Sequence, residues 1–122
     1  MGVGFGFAIA AQALFPKKKI VMVVGDSAFG FSALELETAA RYNMPLKCII
    51  VNNNGIGAGP VDEITKEDNA HSIPVNTLLP GSKYELISVA FGGKGAAVAD
   101  HKGLQNVLKE ALSDDNMWVV NV

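Results

Sequence analysis

The chain is poor in cysteine, histidine and charge, and each scarcity removes a class of protein. One cysteine, Cys48, closes no internal disulfide, which excludes a disulfide-stapled secreted scaffold. It lies in the apolar run Leu46–Val51 and reads as core filling. Two histidines, His71 and His101, without cysteine partners supply no structural zinc site. Charged residues are 18% of the chain and the net charge is −2, ten basic against twelve acidic groups. That balance carries no electrostatic footprint for nucleic acid or for an anionic membrane. The longest apolar stretch, Phe5 to Phe15, is too short to span a bilayer and is broken by Gly6 and Gln12. It also lacks the basic flank of a signal peptide. An intracellular chain, cytoplasmic or peroxisomal, with neither nucleic acid nor membrane as partner, is the expectation.

What is present is globular. Hydrophobic residues make up 49% of 122 positions, enough for one compact domain over residues 1–122. Phe7 to Leu14 reads as an apolar helix, closed by Pro16 and a solvated Lys17-Lys18-Lys19 run. Ile20 to Val24 is an unbroken apolar run, the pattern of a parallel strand covered on both faces. Ser32 and Glu35 fit a capping box for a helix over Ser32 to Tyr42. Leu34, Leu36, Ala39 and Ala40 form its inner side, with Glu35, Glu37 and Arg41 in water. Leu46 to Val51 is a second buried strand, so strand, helix and strand make a right-handed βαβ unit. Val61 to Pro80 is irregular, with room for one short helix. Tyr84 to Phe91 is helical, Gly92–Gly95 a turn and Ala96 to Ala99 a short strand. A helix over Lys102 to Leu112, with Leu104, Val107, Leu108, Ala111 and Leu112 inward, and a closing strand Trp118 to Val122 complete the chain. This alternation predicts an α/β fold: a doubly wound, mainly parallel sheet with helices on both faces.

Familiar nucleotide motifs fail. Gly2, Gly4 and Gly6 are evenly spaced with no strand before them, which is not a GxGxxG turn, and Gly93-Lys94 is followed by Gly95, not Ser or Thr. Ser27 and Ser32 lack the glycine-flanked elbow of a hydrolase nucleophile.

One constellation survives. Asp26 and Ser27 follow the first strand, and Asn52, Asn53, Asn54 and Gly55 follow the second. Ligands of open α/β sheets sit at the carboxyl ends of the strands. A carboxylate and an amide oxygen from adjacent loops, with the Gly55 carbonyl, suit Mg²⁺, whose shell phosphate oxygens and water complete. The helix after Asp26 would favour an anionic phosphate nearby. From the residues alone a second reading stays open, in which Asp26 caps a turn and the asparagines adopt loop conformations they tolerate.

Gly25-Asp26-Ser27, twenty-four residues and then Asn52-Asn53 resembles the thiamine diphosphate-binding signature. GDSAFGFSALELETAARYNMP (residues 25–45), NNNGI (52–56) and LLPGSKYELISVAFGGKG (78–95) resemble the 2-hydroxyacyl-CoA lyase and oxalyl-CoA decarboxylase branch. The resemblance implies an incomplete thiamine diphosphate-binding fold, part of a longer enzyme. By similarity, Asp26 and Asn53 bind Mg²⁺ through side chains and Gly55 through its carbonyl. Ser27 and Ala28 contact the diphosphate, Ile56 packs near it, and Met1 is the apolar residue over which the cofactor bends. It implies no catalytic residue within this segment, because the activating glutamate belongs to a separate pyrimidine-binding domain. The implied substrate is an acyl-CoA cleaved next to a carbonyl carbon, with oxalyl-CoA decarboxylation and acetolactate synthase-like chemistry as alternatives. The full enzyme is then a homo-oligomer. A truncated, non-catalytic interaction module is the competing expectation, and it requires an exposed apolar face on the first helix. One position departs from the family pattern: Gly57 stands where an aromatic is usual.

Overall fold

The computed structural model describes residues 1–57, 71 and 73–122. Four strands, β1 (Val21–Gly25), β2 (Lys47–Val51), β3 (Lys94–Ala97) and β4 (Trp118–Asn121), form one sheet in the order β1-β2-β4-β3. Every pair is parallel. Among the described residues the helices are α1 (Gly4–Leu14), α2 (Asp26–Gly30), α3 (Glu35–Arg41), α4 (Glu85–Ala90) and α5 (His101–Ser113). Among the described residues no helix is long and apolar enough to cross a membrane. Part of the irregular segment expected at Val61–Pro80 lies outside the described residues.

Handedness explains the layering. The steps from β1 to β2 and from β2 to β3 run in the same direction across the sheet, so right-handed crossovers place α3 and α4 on one face. The return from β3 to β4 runs the other way and places α5 on the opposite face. Helices therefore lie on both faces, as the alternating sequence predicts, and the core has two parts. The larger one gathers Phe5, Met22, Phe29, Leu36, Ala39, Cys48, Ile50 and Val119, with Tyr84 and Ile87 against it. The smaller gathers Ala111, Trp118 and Val120, with Leu104 and Val107 of α5 packed on them. Cys48 is core filling as expected, and burial pushes its thiol up to about 12.

Four local expectations are corrected. Val21 and Val23 are exposed, so β1 is covered on one face only, not both. Ser32 does not cap a helix: its hydroxyl donates to the Gly2 carbonyl at 2.8 Å, and α3 starts at Glu35 with no side-chain cap. Leu34 and Leu112, expected inside, face water, while Leu36, Ala39 and Ala111 are buried as predicted. β3 begins two residues earlier than expected, at Lys94, because α4 lies so close that a Cβ at Gly95 would run into the Glu85 carbonyl. Gln12 is buried as well, and its Nε2 donates to the Phe15, Pro16 and Lys18 carbonyls beyond α1.

The amino ends of the strands are tied by charge. Lys47, buried at the start of β2, donates to the Asp114 and Asn116 carbonyls and lies 3.5 Å from the Asp114 carboxylate. Desolvation lowers its pKa against the attraction of Asp114. Asp114 also accepts from Lys94 at 2.7 Å and from the Trp118 indole at 2.9 Å. Desolvation pushes the Asp114 carboxyl up, but hydrogen bonds from Lys94, Asn116 and Trp118 outweigh it and hold the group well below the usual carboxylate range.

Candidate functional site

The register of β1 on β2 decides which loops meet. Gly25 pairs with Val51, so Asp26 leaves the sheet beside Asn52. A short helix, α2, starts at Asp26 itself and is anchored by Phe29, which is fully buried between Phe5 and Tyr84 with both ring centroids 5.7 Å away. The helix at the site is thus α2. α3, expected to serve there, begins nine residues further on.

One pocket of about 330 Å³ is lined by Met1, Gly25, Asp26, Ser27, Ala28, Val51, Asn53, Gly55, Ile56 and Gly57. All seven site residues expected from the sequence, Met1, Asp26, Ser27, Ala28, Asn53, Gly55 and Ile56, line it together. Asp26 is 1% exposed at its floor. One carboxylate oxygen accepts from the Ser27 N–H at 2.8 Å, the other from the Gly55 N–H at 2.9 Å. The two loops are therefore joined through this carboxylate. Asn53 is exposed, and its Nδ2 donates to the Gly57 carbonyl, while Oδ1 has no hydrogen bond among the described residues. Gly57 has φ +88°, a conformation that side-chain-bearing residues rarely adopt. Met1 enters through the chain turn that Ser32 pins at Gly2.

The donor set is all oxygen: one carboxylate, one amide and a backbone carbonyl. Among the described residues no three His, Cys, Asp or Glu side chains cluster as metal ligands. A buried carboxylate met by backbone N–H groups, the one acidic group among the described residues that line the pocket, matches Mg²⁺ held jointly with phosphate oxygens better than a cage made by protein alone. The residues fit the cofactor complex that the sequence resemblance implies. Sequence reasoning missed Ser32 as the anchor of the Met1 segment and Phe29 as the anchor of α2. An aromatic two residues after Ser27 in a glycine-ended turn was the only signal for the second.

A parallel sheet with a pocket at its carboxyl ends, apolar on one side and carrying a carboxylate and an amide on the other, defines a phosphate-cofactor-binding α/β domain. The family described as thiamine pyrophosphate enzyme, C-terminal TPP binding domain, matches residues 1–122, and the chain belongs to that family. It is 47% identical to 2-hydroxyacyl-CoA lyase 1 of Mus musculus over 93% of this chain and 21% of that protein. It is 34% identical to oxalyl-CoA decarboxylase of Escherichia coli K12 over 100% of this chain and 21% of that protein. The chain thus spans about a fifth of the length of the curated relatives it matches. A thiamine diphosphate-dependent 4-hydroxybenzoylformate decarboxylase of Rhodococcus jostii RHA1 has the same fold, with a TM-score of 0.80 at 24% identity over 100% of this chain and 23% of that one.

Proposed function

We propose that residues 1–122 are a single thiamine diphosphate- and Mg²⁺-binding domain of a longer, 2-hydroxyacyl-CoA lyase-like enzyme. The observation that carries this reading is the meeting of Met1, Asp26, Ser27, Ala28, Asn53, Gly55 and Ile56 in one pocket. Asp26 and Asn53 hold the metal through side-chain oxygens and Gly55 through its carbonyl. Ser27 and Ala28 meet the diphosphate, Ile56 covers it, and Met1 supports the bend between the cofactor's rings. When bound, thiamine diphosphate supplies a nucleophilic carbon and an electron sink for breaking a C–C bond next to a carbonyl. This chain's residues hold the metal and phosphate, and Met1, Ala28 and Ile56 form the apolar side of the pocket.

The substrate under this reading is an acyl-CoA in the cell interior, cytoplasm or peroxisome. The activating glutamate comes from a pyrimidine-binding domain, and the assembled enzyme is a homo-oligomer. Phe7 and Leu14 on α1, with Phe31 and Leu34 beyond it, are exposed and offer apolar surface for such contacts. The same surface supports the competing reading of a non-catalytic interaction module.

Calorimetric titration with thiamine diphosphate, with and without Mg²⁺, separates the two. Mg²⁺-dependent binding that Asp26→Ala abolishes is expected, to the chain alone or with a pyrimidine-binding domain added. Absence of binding by folded protein in both arms refutes the cofactor role. Turnover of a 2-hydroxyacyl-CoA by the isolated chain would refute the need for a second domain.

A further inference from the structure

The metal loop is backed by polar side chains that do not line its pocket. Asn121 ends β4, whose other residues are Trp118, Val119 and Val120, and it is only 8% exposed. Its Nδ2 donates to Glu85 Oε2 at 3.0 Å and to the Ser82 carbonyl at 3.1 Å. Its Oδ1 accepts from Asn52 Nδ2 at 3.2 Å, and Asn52 Oδ1 accepts from the Asn54 N–H at 3.0 Å. Glu85 is buried too, at 7% exposure. Among the described residues its hydrogen bond is to an amide, and no ion pair reaches it.

This chain of bonds has one polarity. A carboxylate and a carbonyl only accept, so Asn121 must turn its Nδ2 toward α4 and its Oδ1 toward Asn52. Asn52 must then offer Nδ2 to Asn121, and its Oδ1 is left facing the Asn54 N–H. Asn54 has φ +60°, a left-handed conformation that this bond helps to hold. The flanking residues Asn53 and Gly55 are the two that the metal loop presents. A core built only for stability has no need of a buried carboxylate and a buried amide, which cost free energy unless bonded.

We infer that Asn121, oriented by Glu85, is a positioning residue: through Asn52 it fixes the turn at Asn54 that aims Asn53 and Gly55 at the metal. This deepens the proposed cofactor role and rests on it. Supporting partners of metal ligands typically carry 10- to 100-fold in metal affinity.

The test compares wild type, Glu85→Gln and the double variant Glu85→Leu/Asn121→Leu in the full chain, with the pyrimidine-binding domain present. Mg²⁺ is titrated at fixed thiamine diphosphate by calorimetry, and thermal melting is recorded without ligand. Replacing both partners orphans neither Glu85 nor Asn121, and the groups that do lose Asn121, the Asn52 amide and the Ser82 carbonyl, are only partly buried, so the double variant should melt a little below the wild-type temperature. Its Mg²⁺ affinity should nonetheless fall about 10- to 100-fold. Glu85→Gln keeps an acceptor and should bind within about twofold of wild type. Should the double variant melt low, Asn52→Ala, which changes only the loop side of the relay, should reproduce the affinity loss. Unchanged Mg²⁺ affinity in the double variant or in Asn52→Ala overturns the positioning role and leaves the cofactor reading standing. A wild type that binds no Mg²⁺–thiamine diphosphate overturns both.

Discussion

The two sides of the sheet are finished differently. Around β4, Trp118, Val119 and Val120 are all buried, because α4 covers one face and α5 the other. Along β1, Met22 is buried under α1 while Val21 and Val23 remain exposed on the opposite face, as does Val51 at the end of β2. The candidate site hangs from this half-covered side, since Asp26 follows β1 and the asparagine loop follows β2. Packing on both faces is complete around β4, and apolar surface is left open on the β1 side beside the pocket. That contrast fits a domain whose cofactor pocket is finished by another domain.

The contrast can be broken where it is strongest. Trp118→Ala, on the doubly covered side, should cost about 3–5 kcal/mol in chemical denaturation. A matched pair then compares the two sides directly. Val120→Thr buries a hydroxyl among apolar groups and should cost about 1–3 kcal/mol, while Val23→Thr should stay within about 0.5 kcal/mol. Equal losses in the pair would erase the distinction. Repeating Val23→Thr with the pyrimidine-binding domain present sharpens it, because a partner covering β1 would raise the cost.

Acid tests the amino end of the doubly covered side. The Asp114 carboxyl is held below its ordinary range in the folded chain. The stability it contributes is therefore fully present above about pH 4 and is lost as the pH falls through the lowered folded value. Asp114→Asn should flatten this acid limb in melts recorded from about pH 5 downward; an unchanged limb would show that Asp114 does not couple to folding. A second small effect belongs to the half-covered side. Ser32→Ala removes one hydrogen bond to Gly2 and should cost about 0.5–1.5 kcal/mol. Its diagnostic consequence is weaker thiamine diphosphate binding through a less fixed Met1.

Much of this was legible in the sequence because it is local. Apolar runs marked β1 and β2, and two polar loops at their ends marked the pocket. What escaped depends on neighbours distant in the chain. The run Ile20–Val24 states that β1 is apolar, yet whether a helix covers its second face depends on which strand comes next across the sheet. Ser32 and Glu35 carry a capping-box pattern, but the Ser32 hydroxyl has a better acceptor in Gly2, thirty residues earlier. Lys47 is buried because carbonyls of the Asp114–Asn116 turn receive its ammonium, a partnership nearly seventy residues apart. Glu85 belongs to a helix that periodicity finds, and its burial follows only from the closeness of α4 to β3 that Gly95 permits.

The strand order also sets a schedule for biosynthesis. β4 lies between β2 and β3, so β3 has no strand to pair with until Trp118–Asn121 has been made. At ordinary translation rates of about 5–20 residues per second, that delay is on the order of one to five seconds. Throughout it the edge of β2 that β4 will pair with stays open, its backbone N–H and C=O groups unpaired, the moment at which a nascent chain is most prone to pair with the wrong strand.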